Sequence, residues 1–295
     1  MLLIIGGNSE IGGAAYRTMR AQGYPVAATT RRRESVARDR LFLDLAAPLS
    51  AWEPPAGTQA VCVCAAIARL AACAADPGGT AHINVNQTLA LIDGFLTRGI
   101  SVLFLSTNQV FDGRLPHVPA NAPHSPVSEY GRQKTATEAA LCDRMAQNSP
   151  AAILRLAKVV SPDMPLIRDW TADLSAGKPI RAFHDMTLAP APVDLVCAAI
   201  TVLLKERAQG IFQLTGPRDV AYADVGRFVA DRIGADISLV KEASAVTAGL
   251  PEGATPLNTT LNSDLMRERY GIAAPDVWEV IDPLIGAMEH PRPAR

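Results

Sequence analysis

The sequence predicts an α/β protein built on a Rossmann-type, doubly wound parallel sheet, with a smaller lobe formed by later parts of the chain. Three observations support this fold. Apolar runs of strand length alternate with helical stretches over the first two thirds of the chain, which is typical of βαβ units. A turn with several glycines follows the first run, and frequent prolines break the alternation after about residue 160.

The strands and helices are assigned in order along the chain. The apolar runs of strand length lie at residues 2–5, 26–30, 41–43, 60–66, 102–105, 152–156 and 211–214. The helical stretches lie at about residues 11–22, 80–98, 127–147, 193–206 and 222–233. Ser125 can cap the third helix and Pro126 can occupy its first position, so we expect this helix to begin there.

The change of pattern near residue 160 predicts two lobes. Residues 1–160, together with about 191–234, are expected to form the sheet domain, and residues 161–190 and 235–295 the smaller lobe. The segment 113–126 contains four prolines and lies between a predicted strand and a predicted helix. It is predicted to be a stiff loop, and loops of this length in compact domains are usually functional.

The composition excludes several classes of protein. With 295 residues, 48% of them hydrophobic, the chain can bury a core without disulfides or a structural metal. The 28 Lys and Arg residues balance 29 Asp and Glu residues, so no long-range field attracts nucleic acid or an anionic membrane. The five cysteines and five histidines lack the spacing of a zinc site, so we predict no metal and a reducing compartment.

The first residues are expected to form a strand and to be neither a signal peptide nor a membrane span. The apolar start of the chain ends after Ile5 at Gly6 and carries no basic residues before it. Such a stretch is too short for either type of segment. We therefore expect a cytoplasmic protein.

Residues 5–13 join the first predicted strand to the first predicted helix. Gly6 and Gly12 stand six residues apart, as in turns that let a helix N-terminus reach a pyrophosphate. Ser9 and Glu10 occupy the positions of the missing middle glycine, and we expect the Ser9 hydroxyl to be able to donate to a phosphate and Glu10 to point away. A purely structural turn is the alternative. The predicted contacts to a dinucleotide are Gly6, Asn8, Ser9, Glu10, Ile11 and Gly12.

Arginines at the end of the second predicted strand favour NADP over NAD. Arg31 and Arg32 follow Thr30, and no acidic residue precedes them on the strand. An NAD site offers a carboxylate to the ribose 2′-hydroxyl at this point, whereas arginine pairs with the extra phosphate of NADP. A solvated basic loop is the alternative. Asp44 and Leu45 follow the third predicted strand and are expected to contact the adenine.

Tyr130 and Lys134 stand four residues apart and therefore share one face of a predicted helix. A nearby ammonium group stabilises phenolate, so we expect the pKa of Tyr130 to be lowered and the phenol to exchange a proton with a carbonyl or an alcohol. Thr107 ends a predicted strand at the edge where parallel sheets bind ligands. Its hydroxyl is expected to polarise the same substrate oxygen, which makes Thr107, Tyr130 and Lys134 the candidate catalytic residues.

Further segments carry recognisable motifs. Residues 106–113 read STNQVFDG, residues 130–138 fit YGxxKxxxE, and residues 153–155 read ILR. Residues 256–261 read PLNTTL, and Gly271, Ile272 and Trp278 follow them. These segments resemble the extended short-chain dehydrogenase/reductases, and specifically the dTDP-4-dehydrorhamnose reductase-like branch. The resemblance covers nearly the whole chain and implies that the smaller lobe binds the substrate.

The resemblance also implies roles for individual residues. Tyr130 is the expected acid, and Lys134 is expected to bind the nicotinamide ribose as well. Ala65 and Ala66 are expected to pass beside the cofactor. Asn84 is included in the cofactor-binding set and is expected to help hold the active-site helix.

Other positions depart from the family pattern. The Asp-Tyr pair after the catalytic threonine is replaced by Asn108 and Gln109, and an aromatic residue by Lys158. Because these positions face the sugar in relatives, we expect them to bind the substrate, together with Arg181. A dehydratase needs an Asp-Glu pair after the threonine, so dehydration is disfavoured. Arg155 and Arg181 are able to meet a diphosphate, although a salt bridge is the simpler role for each.

The function that the resemblance implies is an NADPH-dependent reduction of a keto group on a nucleotide-activated 4-keto-6-deoxy sugar, with Tyr130 as the proton donor. One alternative is another extended short-chain dehydrogenase/reductase, such as a sugar-nucleotide epimerase. A second is a non-catalytic NADP-binding regulatory subunit. The expected partners are a small-molecule substrate and, in a possible homodimer, a second copy of the chain.

Overall fold

The structure is a computed structural model and describes residues 1–50, 52–251 and 253–289. Its strands are β1 (Leu2–Ile5), β2 (Val26–Thr30), β3 (Arg40–Phe42), β4 (Ala60–Val63), β5 (Ser101–Thr107), β6 (Ala151–Leu156), β7 (Val159–Val160), β8 (Ile180–Phe183), β9 (Thr187–Leu188), β10 (Ala191–Pro192), β11 (Gly210–Leu214), β12 (Val220–Ala221) and β13 (Val240–Ala243). Its helices are α1 (Glu10–Ala21), α2 (Leu70–Ala75), α3 (Pro77–Ala81), α4 (Thr88–Leu96), α5 (Glu129–Ala146), α6 (Pro165–Ser175), α7 (Val193–Lys205), α8 (Tyr222–Arg232), α9 (Asp264–Tyr270) and α10 (Val277–Glu289).

Seven parallel strands form the central sheet in the order β3-β2-β1-β4-β5-β6-β11. From β1 the chain builds the sheet outward through β2 and β3, and it then returns to the other side of β1 and continues outward from β4. This confirms the doubly wound sheet that the alternating pattern predicts. The crevice between β1 and β4, where the winding direction changes, is the usual ligand site of such sheets.

The side chains of β1 alternate between two cores on opposite faces of the sheet. Leu2 and Ile4 pack in one core with residues of α1 and α7, whereas Leu3 and Ile5 pack in the other with residues of α4. Because helices cover both faces, both sets of side chains are buried, and the strand appears in the sequence as a continuous apolar run.

Helix α5 begins three residues later than the sequence indicates. The hydroxyl of Ser128 accepts a hydrogen bond from the N–H of Gly131 at 3.0 Å, which makes Ser128 the N-cap. The hydroxyl of Ser125 instead accepts from the N–H of Asp112 at 3.1 Å, inside the preceding loop. The prediction that Ser125 and Pro126 start this helix is therefore wrong, because a contact within the folded loop uses Ser125.

The helix predicted at about residues 80–98 is also interrupted. The chain forms α3, then a π-helical turn at His82–Gln87, and only then α4. Asn84 lies in the π-helical turn, and its side chain contacts both the backbone of Ile67 and the Gln133 side chain of α5. A π-helical turn inside a helix often marks a functional position.

A third hydrophobic core lies outside the sheet. It is formed by α6, α8 and α10 together with β8 and β13, which pair in parallel. Helix α8 is predicted to belong to the sheet domain, but its apolar residues Val225 and Val229 pack in this third core, whereas α7 and β11 pack with the sheet. The division at about residue 234 therefore differs from the packing that the structure shows.

Candidate active site

The turn after β1 brings the N-terminus of α1 against the end of β4. Gly6 has a φ of +92° and lies so close to Ala65 that a Cβ atom at Gly6 would be 2.8 Å from the Ala65 nitrogen. A Cβ atom at Gly12 would be 2.5 Å from the Gly6 carbonyl oxygen. The two glycines thus permit a close approach of helix and strand, which sets the helix N-terminus at the crevice.

The Ser9 side chain forms two hydrogen bonds within this turn. Its hydroxyl donates to the Gly6 carbonyl oxygen at 2.8 Å and accepts from the Gly12 N–H at 3.1 Å. The expectation that this hydroxyl donates to a phosphate therefore differs from its use here, which is to cap α1. Within the described part of the chain, no backbone acceptor is found for the N–H groups of Glu10 and Ile11, and such free groups at a helix start attract anions.

A first cleft of about 250 Å³ lies on one side of this turn. Its wall includes Gly6, Asn8, Ser9, Arg31, Asp44, Leu45, Ala65 and Ala66, all of which the sequence analysis assigns to a cofactor. Arg31 is exposed at the end of β2. Arg32, although predicted with it, is not part of this wall; its N–H donates to the Thr30 hydroxyl at 3.0 Å.

A second cleft of about 450 Å³ lies on the other side and shares Ser9 and Ala66 with the first. Its wall contains Thr107, Tyr130, Lys134 and Lys158, together with Glu10, Ile11 and Cys64. The predicted catalytic residues thus line one space, which adjoins the first cleft at Ser9 and Ala66. Cys64 is a wall residue that the sequence analysis did not single out, because a cysteine in an apolar run has the same pattern as a core residue.

Tyr130 and Lys134 lie on the face of α5 that is turned toward β5. The Lys134 ammonium donates to the Leu105 carbonyl oxygen at 2.7 Å and lies 4.2 Å from the centre of the Phe104 ring. It is 5.9 Å from the centre of the Tyr130 ring. The Tyr130 hydroxyl has no hydrogen-bond partner among the described residues, so it is free to meet a ligand in the second cleft.

The electrostatics of this pair differ from the expectation. Burial raises the pKa of the Tyr130 phenol above its ordinary value, and the nearby Cys73 adds to this effect. Burial also lowers the pKa of Lys134 to about 8, although Glu138 and the two cysteines Cys64 and Cys62 oppose the change. The prediction of a lowered pKa for Tyr130 is therefore wrong for the protein alone, because desolvation of the phenol outweighs an ammonium that is directed at Leu105.

Thr107 ends β5 and caps the 3-10 turn at Asn108–Val110. Its hydroxyl accepts from the Gln109 N–H at 3.2 Å and donates to the Asn108 side-chain oxygen at 3.3 Å. Thr107 is 9% exposed and contributes to the wall of the second cleft. The turn therefore fixes the Thr107 hydroxyl at the carboxyl end of the sheet.

Two residues predicted to contact ligands have other partners, and a third lies outside both clefts. The amide of Gln109 bonds to Ser128 and Gly253, and that of Asn84 bonds to Ile67 and Gln133. Asn84 is 2% exposed and contacts α5 through Gln133. Arg181 is exposed on β8 and belongs to neither cleft wall.

A buried ion pair links α5 to β6. Arg155 of β6 donates to the Glu138 carboxylate at 2.7 Å, and these side chains are 1% and 0% exposed. The His124 ring nitrogen lies 3.0 Å from the same carboxylate. The pKa of Glu138 is lowered, because hydrogen bonds from His124 and Arg155 outweigh its burial. The salt bridge predicted for Arg155 is thus confirmed, whereas its partner was not predictable.

Neither a metal site nor a membrane span is found in the part of the chain that the structure describes. No group of three or more His, Cys, Asp or Glu side chains in residues 1–50, 52–251 and 253–289 has the arrangement to hold a metal ion. No helix within these ranges has the length and apolar character to cross a membrane.

Comparison with known proteins supports a family assignment. A sequence profile described as the RmlD substrate binding domain matches residues 1–288. The chain is 27% identical over 297 residues to the probable low-salt glycan biosynthesis reductase Agl14 of Haloferax volcanii, with 97% of each chain covered.

Two solved structures have the same fold. A dTDP-4-dehydrorhamnose reductase from Clostridium acetobutylicum superposes with a TM-score of 0.80 at 18% identity, covering 98% of this chain and 99% of that one. A dTDP-4-dehydrorhamnose reductase from Bacillus anthracis, solved in complex with NADP, superposes with a TM-score of 0.76 at 15% identity, covering 97% and 96%. Since the profile spans nearly the whole sequence, the chain belongs to the RmlD substrate-binding domain family.

Proposed function

We propose that this protein is an NADPH-dependent reductase that acts on a keto group of a nucleotide-activated sugar, of which a 4-keto-6-deoxy sugar is the first candidate. One observation carries the proposal. Thr107, Tyr130 and Lys134 line a single cleft that shares Ser9 and Ala66 as wall residues with the cleft containing Arg31. A carbonyl and a reduced nicotinamide can therefore be held side by side.

The residues of the first cleft fit NADP. The crevice lies at the change in winding direction of the sheet, and the N–H groups of Glu10 and Ile11 lack backbone acceptors among the described residues, which suits a pyrophosphate. Arg31 would hold the 2′-phosphate, and Asp44 and Leu45 would hold the adenine. A reductase of the same fold has been solved with NADP, which supports this choice.

The chemistry is divided between the cofactor and three side chains. NADPH supplies the hydride when bound. Tyr130 donates its proton to the carbonyl oxygen. The Thr107 hydroxyl, whose single proton goes to the Asn108 side-chain oxygen in the protein alone, turns to donate its hydrogen bond to that same carbonyl oxygen and so polarises the carbonyl. The raised pKa of Tyr130 keeps the phenol protonated at neutral pH, as an acid requires. Lys134 uses one of its three donors on Leu105, which leaves two for a ribose hydroxyl.

The names of the relatives support the substrate class. Agl14 is named as a reductase of glycan biosynthesis, and the two solved structures are named for a nucleotide-linked keto sugar. Lys158 at the wall of the second cleft has no hydrogen-bond or ion-pair partner for its ammonium among the described residues, so we expect it to face the substrate.

The proposal is tested by following NADPH oxidation in the presence of dTDP-4-keto-6-deoxy sugars. We expect turnover by the native protein and a loss of about 100-fold or more in Tyr130→Phe, with the NADPH dissociation constant unchanged. Full activity in Tyr130→Phe would contradict the assigned role. Tight NADPH binding without oxidation by any keto-sugar nucleotide would contradict the substrate class, and absence of NADPH binding would contradict the whole proposal.

A further inference from the structure

The side chain of Gln109 joins two parts of the molecule that are far apart in sequence. Its Nε2 donates to the Gly253 carbonyl oxygen at 3.0 Å, and its Oε1 accepts from the Ser128 hydroxyl at 3.1 Å. Its backbone N–H donates to the Thr107 hydroxyl at 3.2 Å. One residue therefore contacts the end of β5, the start of α5, and a segment 144 residues further along the chain.

The chemistry of the partners determines the orientation of this amide. The Gly253 carbonyl oxygen can only accept a hydrogen bond, so the amide nitrogen must face it. The Ser128 hydroxyl already accepts from the Gly131 N–H at 3.0 Å, so its own proton is available for the amide oxygen. Both ends of the amide are satisfied in this orientation, and rotating the amide by half a turn would break the bond to Gly253.

The segment that Gln109 holds is here called the strap and comprises residues 244–251 and 253–258. At one end, the carboxylate of Asp185 accepts from the Ser244 hydroxyl at 2.5 Å and from the Ala245 N–H at 2.6 Å. At the other end, the Asn258 amide donates to the Arg114 carbonyl oxygen at 3.0 Å. Gln109 thus contacts the strap between two anchors that are themselves in loops.

The strap lies directly against the beginning of the catalytic helix. A Cβ atom at Gly253 would be 2.9 Å from the Ser128 Cβ. On the other side of the cap, a Cβ atom at Gly131 would be 2.2 Å from the Gln109 carbonyl oxygen. The first turn of α5, which contains Tyr130, is therefore enclosed between the Gln109 backbone and the strap.

We propose that Gln109 is a positioning residue that couples the strap to the start of α5, and that it does not bind the substrate itself. The inference rests on the proposed function for its catalytic consequence. One end of the amide holds the strap, and the other end supports the cap that sets the position of Tyr130. The two hydrogen bonds of Gln109 therefore link Gly253 to the cap of the helix that carries Tyr130.

Two substitutions separate the two ends. Gln109→Glu keeps an oxygen that can accept from Ser128 but replaces the donor to Gly253 with a second oxygen. Gln109→Met removes both hydrogen bonds and keeps a side chain of similar length. Loss of a hydrogen bond of about 0.5–1.5 kcal/mol is expected to increase hydrogen exchange in residues 253–258 by up to about tenfold in both variants.

The start of α5 should respond differently. We expect the amide of Gly131 to exchange faster in Gln109→Met only, since the glutamate still supports Ser128. With a keto-sugar substrate, kcat should fall about tenfold in Gln109→Met and by a smaller factor in Gln109→Glu, with the NADPH dissociation constant unchanged in both. The charge control is Gln147→Glu, at the exposed far end of α5, which should match the native protein throughout.

The outcomes are distinguishable from a failure of the proposed function, because exchange is measured without substrate or cofactor. Native exchange of residues 253–258 in both variants would overturn the coupling. A raised KM with unchanged exchange would identify Gln109 as a substrate contact and also overturn the proposal. Equal kcat in Gln109→Met and native protein would overturn the catalytic consequence.

Discussion

The ammonium of Lys134 lies 5.9 Å from the centre of the Tyr130 ring and donates a hydrogen bond to the Leu105 carbonyl oxygen. The two side chains share a helix face, as their spacing of four residues requires. Yet the lysine is only 4% exposed. Its charged form has therefore lost most of its contact with water, which destabilises that form. This arrangement makes the state of Lys134 dependent on pH within a measurable range.

The first prediction concerns stability against pH. Burial lowers the pKa of Lys134 to about 8 in the folded protein, below its value in the unfolded chain. Between these two pKa values the unfolded state binds more protons than the folded state. Lys134 therefore lowers the stability of the fold at neutral pH, and this unfavourable contribution diminishes as the pH rises. We expect Lys134→Met to gain stability relative to the native protein at pH 7, and this difference to shrink by roughly 2 kcal/mol at pH 10.

Urea unfolding of the two proteins at several pH values measures this difference. Because the other titratable groups are the same in the native protein and in Lys134→Met, their contributions cancel in the difference between the two. A difference that stays constant between pH 7 and pH 10 would show that Lys134 titrates normally.

The second prediction concerns cofactor choice. Arg31 lies at the wall of the first cleft, and a charged hydrogen bond to a phosphate contributes about 1.5–3 kcal/mol. Arg31→Ala is expected to weaken NADPH binding about 10-fold to 100-fold and to leave NADH binding nearly unchanged. Calorimetric titration with both nucleotides at low salt measures this. Arg38→Ala, at an exposed arginine of the same segment outside that wall, is the control, and an equal loss in both variants would contradict a specific role for Arg31.

The third prediction concerns the buried ion pair. Glu138→Ala leaves the Arg155 guanidinium, which is 1% exposed, without its carboxylate, and such a change costs about 3–5 kcal/mol of unfolding free energy. Since the pKa of Glu138 is lowered, its stabilising contribution is present at neutral pH and is lost as the pH falls through the folded value. Urea unfolding at pH 7 tests this. The control is Glu53→Ala, whose partner Arg98 is exposed, and its cost should stay below about 1 kcal/mol.

The fourth prediction compares two helical glycines. A Cβ atom at Gly12 would meet the Gly6 carbonyl oxygen and the Ser9 hydroxyl, whereas at Gly94 in α4 the nearest atom is a flexible Arg98 nitrogen at 3.5 Å. Gly12→Ala is expected to displace the start of α1 from the turn after β1, lowering both thermal stability and NADPH affinity. Gly94→Ala should be neutral or stabilising by up to about 1 kcal/mol, because alanine favours helix. Melting curves of both variants test this prediction. Native stability in Gly12→Ala would show that the turn accommodates a Cβ atom at this position.

Much of the sheet was predictable because its signals are local. The apolar runs at residues 2–5 and 26–30 coincide with β1 and β2, since strands covered on both faces are continuous in sequence. Helix α5 was predictable in its existence but not in its start. Ser125 and Ser128 are both suitable caps, and only the folded loop, where Asp112 bonds to Ser125, leaves the cap to Ser128.

The linear sequence was sufficient to predict the seven strands of the central sheet, the helices α1, α5, α7 and α8, the glycine turn at the crevice, and the placement of Tyr130 and Lys134 on one helix face. Each follows from interactions between residues a few positions apart. The tertiary structure alone decided that Gln109 meets Gly253, that Arg155 pairs with Glu138, and that burial raises the pKa of Tyr130. Side chains acquire such partners and such desolvation only when distant segments pack, and a linear pattern carries no record of which segments will do so.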